Sequence, residues 1–347
     1  MIVLGWDIGG AHLKGARAED GRVTAAVEVA CPLWQGLEHL DRAFAVARAS
    51  LGDAPLNAVT MTAELCDLFA SRAEGVARLC EKAVALLPGK IEVYAGNDGW
   101  AAAERAAEKA EAVASANWHA TASLTARGRR DAFFIDMGST TTDIVPIVGG
   151  RVASRASSDA ERLACGELVY MGVTRTFLMA VAQRVPFRGA WTPVMAEYFA
   201  SMADVYRVLG ILPEGADLHA TADGREKSWE ASAARLARMI GRDAGEAEAW
   251  EWRRLADFYA EAQLRALADA AMQVLSSSEL PPDAPVAAAG TGRFVVERLA
   301  ARLDRECLPW ESDIQADAGL AEAISAAAPA VAVAMLLSAN VEGRGGL

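Results

Sequence analysis

Two stretches of this chain place an aspartate at the end of an apolar run just ahead of a glycine turn, a pattern whose chemistry suits phosphate. In Asp7-Ile8-Gly9-Gly10-Ala11-His12-Leu13-Lys14 an aspartate ends an apolar run and two glycines follow. Glycine has no Cβ, so a turn built from it lets backbone N–H groups approach an anion. A phosphate fits on such a turn, with Lys14 on the next strand to neutralise it and Asp7 placed to hold Mg²⁺ directly or through water. Alone, a glycine pair after a strand is more often a plain turn. In Asp136-Met137-Gly138-Ser139-Thr140-Thr141-Thr142-Asp143, however, a second aspartate and a second glycine turn recur, now with hydroxyls that can donate to phosphate oxygens. The recurrence makes a merely polar hairpin the weaker account. Asp136 joins Asp7 as a metal candidate, while Asp143 either reaches the metal through water or orients the threonines. A third stretch, Ala287-Ala288-Ala289-Gly290-Thr291-Gly292-Arg293, is a small-residue strand ending in Gly-x-Gly ahead of a helical pattern. Gly290, Thr291 and Gly292 there offer close backbone approach and helix N-terminal N–H donors.

The elements that must position these turns are legible in the hydrophobic periodicity. Residues 2–6 and 13–18 read as strands around the Gly9-Gly10 turn, and Val23, Ala25, Val27 and Val29 alternate as a half-buried third strand. There follow a helix at 37–49, a strand at 58–61, a helix with Val76, Leu79, Ala83 and Leu86 on one face, a strand at 91–94 and an alanine-rich helix at 99–115. That order makes a mixed sheet with helices packed on it. The opening meander then returns as a strand at 132–137, a turn at Gly138-Ser139, a strand at 142–147, a turn at Gly149-Gly150 and a third strand at 151–155. Repetition at 2–15 and 132–147 implies duplicated lobes, 1–130 and 131–347, facing each other across a cleft. The second lobe carries a mostly helical insertion, about 166–280, with helical patterns at 229–240 and 246–275. Pro281-Pro282 closes it, and a strand at 286–289 leads through the Gly-x-Gly turn to a helix at 294–303. The alanine-rich stretch 324–337, interrupted by Pro329, is too short and too weakly apolar to span a bilayer. It reads as a buried helix, one able to pack back on the first lobe.

The two aspartate turns and the later Gly-x-Gly resemble the actin and sugar kinase superfamily, in which the third turn contacts phosphate or nucleoside. The resemblance implies an α/β, two-lobed actin-like (ribonuclease H-like) fold with the helical insertion in its second lobe. Ala95-Gly96-Asn97-Asp98-Gly99-Trp100-Ala101 looks like the Asn-Asp-Ala segment of glucokinase-type sugar kinases, whose aspartate deprotonates the attacking hydroxyl. Asp98 is the general-base candidate this implies, and it is equally placed to N-cap a helix from Gly99. Glu64 and Asp67, in Thr62-Ala63-Glu64-Leu65-Cys66-Asp67, either receive a cationic substrate group or cap a helix. His119, in Asn117-Trp118-His119, is either a proton carrier or a structural histidine. Glu167, at the start of a helix in Gly166-Glu167-Leu168-Val169-Tyr170, either faces substrate or is an exposed helical carboxylate.

Taken with Trp6-Asp7-Ile8-Gly9-Gly10 and Ala116-Asn117-Trp118-His119-Ala120, these segments resemble the hydantoinase/oxoprolinase-related proteins of the tetrahydromethanopterin-linked one-carbon pathway over nearly the whole chain. Within that group they are similar to the enzymes that form the furan-phenol ether of methanofuran and methylofuran. The resemblance implies a transferase that joins an aminomethyl-furanmethanol diphosphate to the phenol of tyramine or γ-glutamyltyramine and releases pyrophosphate. It implies that Mg²⁺, Lys14 and the glycine turns stabilise the departing diphosphate, that Asp98 takes the phenolic proton, and that Glu64 or Asp67 pairs with the furan's ammonium. The alternatives are an ATP-dependent small-molecule kinase, with ATP at Gly290 to Arg293, an oxoprolinase-like ATP-dependent hydrolase, and a non-enzymatic ATPase switch.

Composition bounds these readings. A chain of 347 residues, 53% apolar, is long enough for two packed cores. A formal net charge of −12 argues against a nucleic-acid or anionic-membrane partner, since a phosphate backbone needs a clustered basic face. The partners expected are small-molecule substrates, and apolar helix faces of the insertion leave room for a homo-oligomer or a lid. Cys31, Cys66, Cys80, Cys165 and Cys307 make no CxxC pair and read as buried thiols of a reducing compartment. Met1 runs straight into a strand with no basic or cleavage signal, so the expected location is the cytoplasm.

Overall fold

In the computed structural model, which describes residues 1–345, the opening apolar run forms β1 (Ile2–Ile8), followed by β2 (His12–Glu19) and β3 (Arg22–Ala30). The chain continues through α1 (Glu38–Leu51), β4 (Leu56–Met61), α2 (Arg72–Leu86), β5 (Lys90–Tyr94) and β6 (Trp100–Ala102). These strands make one sheet in the order β3-β2-β1-β4-β5-β6, antiparallel through β3, β2 and β1, parallel from β1 to β4 to β5, and antiparallel again at β6. Successive side chains of a strand point to opposite faces. Leu4, Trp6 and Ile8 of β1 therefore share one face, where they are buried with Leu40, Phe44 and Ala47 of α1 and Val76, Leu79 and Ala83 of α2. Trp6 and Phe44 meet edge to face at 5.0 Å. The indole N–H of Trp6 is satisfied inside this core by Asn57 Oδ1 at 3.0 Å.

The alanine-rich segment after β5 is not the helix its composition suggests. Gly99 sits at φ 76°, which reverses the chain into β6, and β6 pairs back on β5 with Trp100 opposite Tyr94. The two rings pack at 5.2 Å, an aromatic pair that helical propensity could not compete with. Only a 3-10 turn, Ala103–Lys109, and the single turn α3 (Ala110–Val113) remain helical before α4 (Asn117–Gly128).

The second half repeats the opening pattern as β7 (Ala132–Met137), β8 (Thr142–Val148) and a short β9 (Arg151–Val152). It continues through α5 (Asp159–Cys165), β10 (Leu168–Val169), α6 (Leu178–Val181), the hairpin β11 (Arg184–Phe187) and β12 (Ala190–Pro193), α7 (Met202–Leu209), α8 (Trp229–Arg238) and α9 (Ala249–Leu275). Then come β13 (Val286–Ala289), α10 (Arg293–Arg302) and β14 (Cys307–Pro309). The sheet order is β10-β8-β7-β13-β14, with β9 on β8. Residues 166–169 do not begin a helix. Gly166 at φ 83° is the left-handed stop of α5, after which Glu167 leads directly into β10 against β8.

The chain ends with α11 (Ala321–Ala326) and α12 (Ala328–Gly345). It divides into two compact units, one of Met1–Phe134, Val145–Ser154 and Leu308–Leu347, the other of Ile135–Ile144 and Arg155–Cys307. Within the first unit α12 covers the second face of the sheet, where Ala332, Val333, Leu336 and Leu337 are buried with Val3, Ala18 and Ala58 and with Ala116 and Ala120 of α4. Gly5 is the closest point of that packing: a Cβ there would lie 1.9 Å from Ala330 O and 2.9 Å from Ala334 Cβ. Gly5→Ala is expected to cost about 3 kcal/mol, the upper end of ordinary overpacking, because the obstructing atom is helix backbone. A denaturant midpoint within error of wild type would show that α12 does not seat here. Among the described residues no helix is long and apolar enough to cross a membrane. The five cysteines are free; Cys31 and Cys80 are buried and their thiols pushed up to about 12, chiefly by burial, whereas Cys66, Cys165 and Cys307 are only half-buried, contrary to expectation.

Candidate functional site

The pairing register of the first sheet assembles a polar row from residues far apart in sequence. Asp7 lies opposite Lys14 across β1 and β2, Lys14 opposite Glu28 across β2 and β3, and Asp7 beside Thr60 of β4. Registered partners share a face, so Glu28, Lys14, Asp7 and Thr60 line one side at the carboxyl end of β1 and β4. Asp7 and Thr60 are buried. Burial raises the Glu28 carboxyl above its usual range, with Lys14 pulling it back. His12 Nδ1 lies 3.7 Å from Glu28 Oε1. Glu28 and Thr60 were not singled out from sequence. The signal for Glu28 was present: it falls out of phase with the apolar Val27 and Val29, on the same side as Lys14.

Glu64, Asp67, Asp98 and His119 also belong to this unit. Glu64 is buried in a 3-10 turn after β4 and accepts from Ser115 Oγ at 2.7 Å. Gly75 of α2 permits this, because a Cβ there would meet Glu64 O at 2.6 Å. Asp67, three residues on, is exposed. His119 of α4 has its Nδ1 2.9 Å from the Tyr94 hydroxyl, and burial raises Tyr94 while its Ser123 hydrogen bond and Arg127 oppose the shift. Asp98 is exposed at the end of a 3-10 turn and forms an ion pair with Lys109 at 3.5 Å. It caps no helix, since Gly99 turns into β6.

The second unit builds its turn by the same hydrogen bond as the first. Gly9 N–H donates to His12 O at 3.0 Å, and Gly138 N–H donates to Thr141 O at 2.9 Å. The first glycine of each turn thus closes the hairpin with its N–H, and Gly10 in one turn and Ser139, Thr140 and Thr141 in the other follow it. Asp136, buried at the end of β7, is approached by Gly290: a Cβ on Gly290 would lie 2.3 Å from Asp136 Oδ1 and 2.3 Å from Met137 O. Gly292 N–H donates to Met137 O at 2.8 Å, so the Gly290-Thr291-Gly292 turn is strapped onto the aspartate strand ahead of α10. The structure thereby brings together Asp136, Gly138 and the third glycine stretch.

Asp143, at the start of β8, and Glu167, just before β10, both meet Arg162. Arg162, fully buried, donates to Asp143 Oδ1 at 2.9 Å and to Glu167 O at 2.9 Å, while Arg155 N–H donates to Glu167 Oε1 at 2.8 Å. A buried guanidinium needs compensating acceptors, and Arg162 has the Asp143 carboxylate, the Glu167 carbonyl and, at 4.0 Å, the Glu167 carboxylate. Arg175, missed from sequence, has its backbone N–H on Ser139 O at 2.9 Å. Burial lowers its guanidinium, with Tyr170 and Tyr198 opposing. A cavity of about 230 Å³ in the insertion, lined by Met195, Phe199, Arg238 and Arg242 among others, contains none of the motif residues.

Magnesium keeps several waters and takes one or two carboxylates together with substrate phosphates; Asp7 in the first unit and Asp136 in the second, each beside a glycine turn of its own unit, are carboxylates of the type such an ion takes. No group of three or more His, Cys, Asp or Glu among the described residues forms an all-protein cage.

Residues 56–338 match the family model described as hydantoinase/oxoprolinase, which is most of the chain. The chain belongs to the hydantoinase/oxoprolinase family. A relative from Methanocaldococcus jannaschii, named (4-{4-[2-(gamma-L-glutamylamino)ethyl]phenoxymethyl}furan-2-yl)methanamine synthase, is 32% identical over 244 residues, 70% of this chain and 72% of that one. A protein of the same name from Methanococcus vannielii is 37% identical over 122 residues, 35% of this chain and 54% of that one. Among solved structures, acetone carboxylase in its nucleotide-free form superposes with a TM-score of 0.59 at 13% identity, covering 94% of this chain and 70% of that one. That likeness is one of fold. The α/β actin-like architecture expected from the repeated aspartate turns is the one this family member has.

Proposed function

We propose that this chain is a cytoplasmic transferase that condenses an aminomethyl-furanmethanol diphosphate with the phenol of γ-glutamyltyramine or tyramine, releasing pyrophosphate. The observation that carries the reading is the kinship with two synthases named for this furan-phenol ether. The site supports it: each unit presents a buried aspartate on a glycine turn suited to phosphate, Asp7 beside Lys14 and Asp136 beside Gly290-Thr291-Gly292.

In the reaction the phenol oxygen attacks the furfuryl carbon, the carbon–oxygen bond to diphosphate breaks with its electron pair leaving on pyrophosphate, and the phenolic proton passes to a base. Lys14 and the turn amides stabilise charge on the leaving group. Asp7, or Asp136 in its own unit, would hold Mg²⁺, which when bound supplies further neutralisation of the phosphate oxygens. A phenol has a pKa of about 10 and is a weak nucleophile when protonated, so a positioned base is required, and Asp98 is assigned that role. Glu64, buried and accepting from Ser115, is the carboxylate for the substrate's ammonium, in preference to the exposed Asp67. The Tyr94–His119 contact favours a second assignment of the base to His119, whose ring it orients. Asp143 and Glu167 act through Arg162 by keeping the second turn in shape.

The test is to incubate the protein with Mg²⁺, the furan diphosphate and γ-glutamyltyramine in the absence of ATP, following pyrophosphate and the mass of the product. An ether of the summed mass less pyrophosphate is expected. If no ether forms, and ATP with a hydroxylated or amide metabolite gives phosphorylation or hydrolysis, the reading is wrong and a kinase-like one replaces it.

A further inference from the structure

The Ser139 turn is held from outside by residues 172–176. Val173 N–H donates to Gly138 O at 3.0 Å, and Thr174 and Arg175 N–H both donate to Ser139 O, at 3.2 and 2.9 Å. Gly172 lies against the turn itself, since a Cβ there would be 2.4 Å from Ser139 C and from Thr140 N. What fixes Gly172 comes from the insertion. Gln263, in the middle of α9, donates from Nε2 to Gly172 O at 3.0 Å, and its Oε1 accepts from the Tyr206 hydroxyl of α7 at 2.6 Å. Thr176 completes the clamp, its hydroxyl accepting from Gly172 N–H at 2.8 Å and donating to Gly172 O at 3.1 Å. Gln263 and Tyr206 are fully buried, among Tyr259, Ala260, Leu264 and Leu267 of the same helix seam.

An amide in an apolar seam is costly unless both its ends are satisfied. Both are, and one end leads to the phosphate turn. We infer that Gln263 is a positioning residue for the diphosphate: through Gly172 it sets where the Ser139 and Thr140 groups stand, with Tyr206 fixing the amide's orientation. This links the insertion to the chemistry. It rests on the reading that the Ser139 turn receives the diphosphate.

Three variants separate the parts. Gln263→Leu removes both hydrogen bonds at similar volume, Gln263→Glu keeps an acceptor for Tyr206 but loses the donor to Gly172, and Tyr206→Phe removes only a hydroxyl. Binding of Mg²⁺-pyrophosphate is measured by calorimetry, and KM is measured separately for the furan diphosphate and the phenol. Displacing a positioning group by a fraction of an ångström is expected to raise the pyrophosphate Kd and the diphosphate KM roughly 10–100-fold in Gln263→Leu and Gln263→Glu, with the phenol KM unmoved. Tyr206→Phe, which preserves packing, is expected to raise them about threefold through one lost hydrogen bond. It decides the matter if the Gln263 variants do not fold. Unchanged pyrophosphate Kd and diphosphate KM in folded variants, or equal rises in both KM values, overturn the inference while leaving the proposed reaction intact. A wild-type chain that binds no pyrophosphate overturns both.

Discussion

Asp98→Asn is expected to lower kcat by about 10²–10⁴-fold, the range for loss of a general base, while leaving diphosphate affinity and stability near wild type. The structure makes the two effects separable. Asp98 is exposed, ends a 3-10 turn rather than capping a helix, and has Lys109 at 3.5 Å. An ion pair so placed contributes about 0–1 kcal/mol, and asparagine preserves the shape of the turn. Lys14 and Asp7 stand on other strands and keep their register. A fall in kcat with unchanged pyrophosphate affinity and unchanged denaturant midpoint therefore reports chemistry. If Asp98→Asn turns over normally and His119→Gln does not, the base is the imidazole oriented by Tyr94, and Tyr94→Phe should then lower kcat as well.

Gly290→Ala is the second large effect, and it falls on stability and ligand affinity together. Gly290 sits at φ +88°, where an L side chain pays roughly 1–2 kcal/mol. The added Cβ would also lie 2.3 Å from Asp136 Oδ1 and from Met137 O, and 2.7 Å from Met137 C. Strand backbone cannot step aside as a flexible side chain can, so overpacking adds roughly 1–3 kcal/mol. The denaturant midpoint should fall accordingly, and pyrophosphate affinity in the surviving folded protein should fall with displacement of the Asp136 carboxylate. Gly224→Ala is the control: its φ is +68°, and a Cβ there meets nothing within 4 Å. It carries the backbone strain alone. Equal losses of stability in the two variants would show that the turn does not press on Asp136.

The two aspartate hairpins were legible without a structure because they are written in adjacent residues. An apolar run, an aspartate, a glycine turn and a returning strand specify a hairpin by pleat and turn chemistry alone, and Gly9 and Gly138 close theirs with the same bond. Strands β1, β4, β5, β7 and β13 and helices α1, α2, α9 and α10 were readable for the same reason, their periodicity being long enough to outweigh end effects. The alanine-rich 99–115 segment was misread because helix propensity is a weak prior, and the deciding contact, Trp100 on Tyr94, is tertiary.

The same division holds for the site. The sequence by itself determined which residue types stand at the ends of the repeated strands: Asp7, Lys14, Asp136, the hydroxyls after Gly138 and the later Gly-x-Gly. It could not say what each carboxylate meets, because that depends on partners brought in by folding. Arg162 engages Asp143 and Glu167, Ser115 meets Glu64 from 51 residues away, and Lys109 meets Asp98. Nor could it show that Glu28 and Thr60 join Lys14 and Asp7, or that Gln263 reaches Gly172 across 91 residues. Those facts follow from strand register and helix packing, where side chains distant in sequence share a face or a hydrogen bond only once the core has closed.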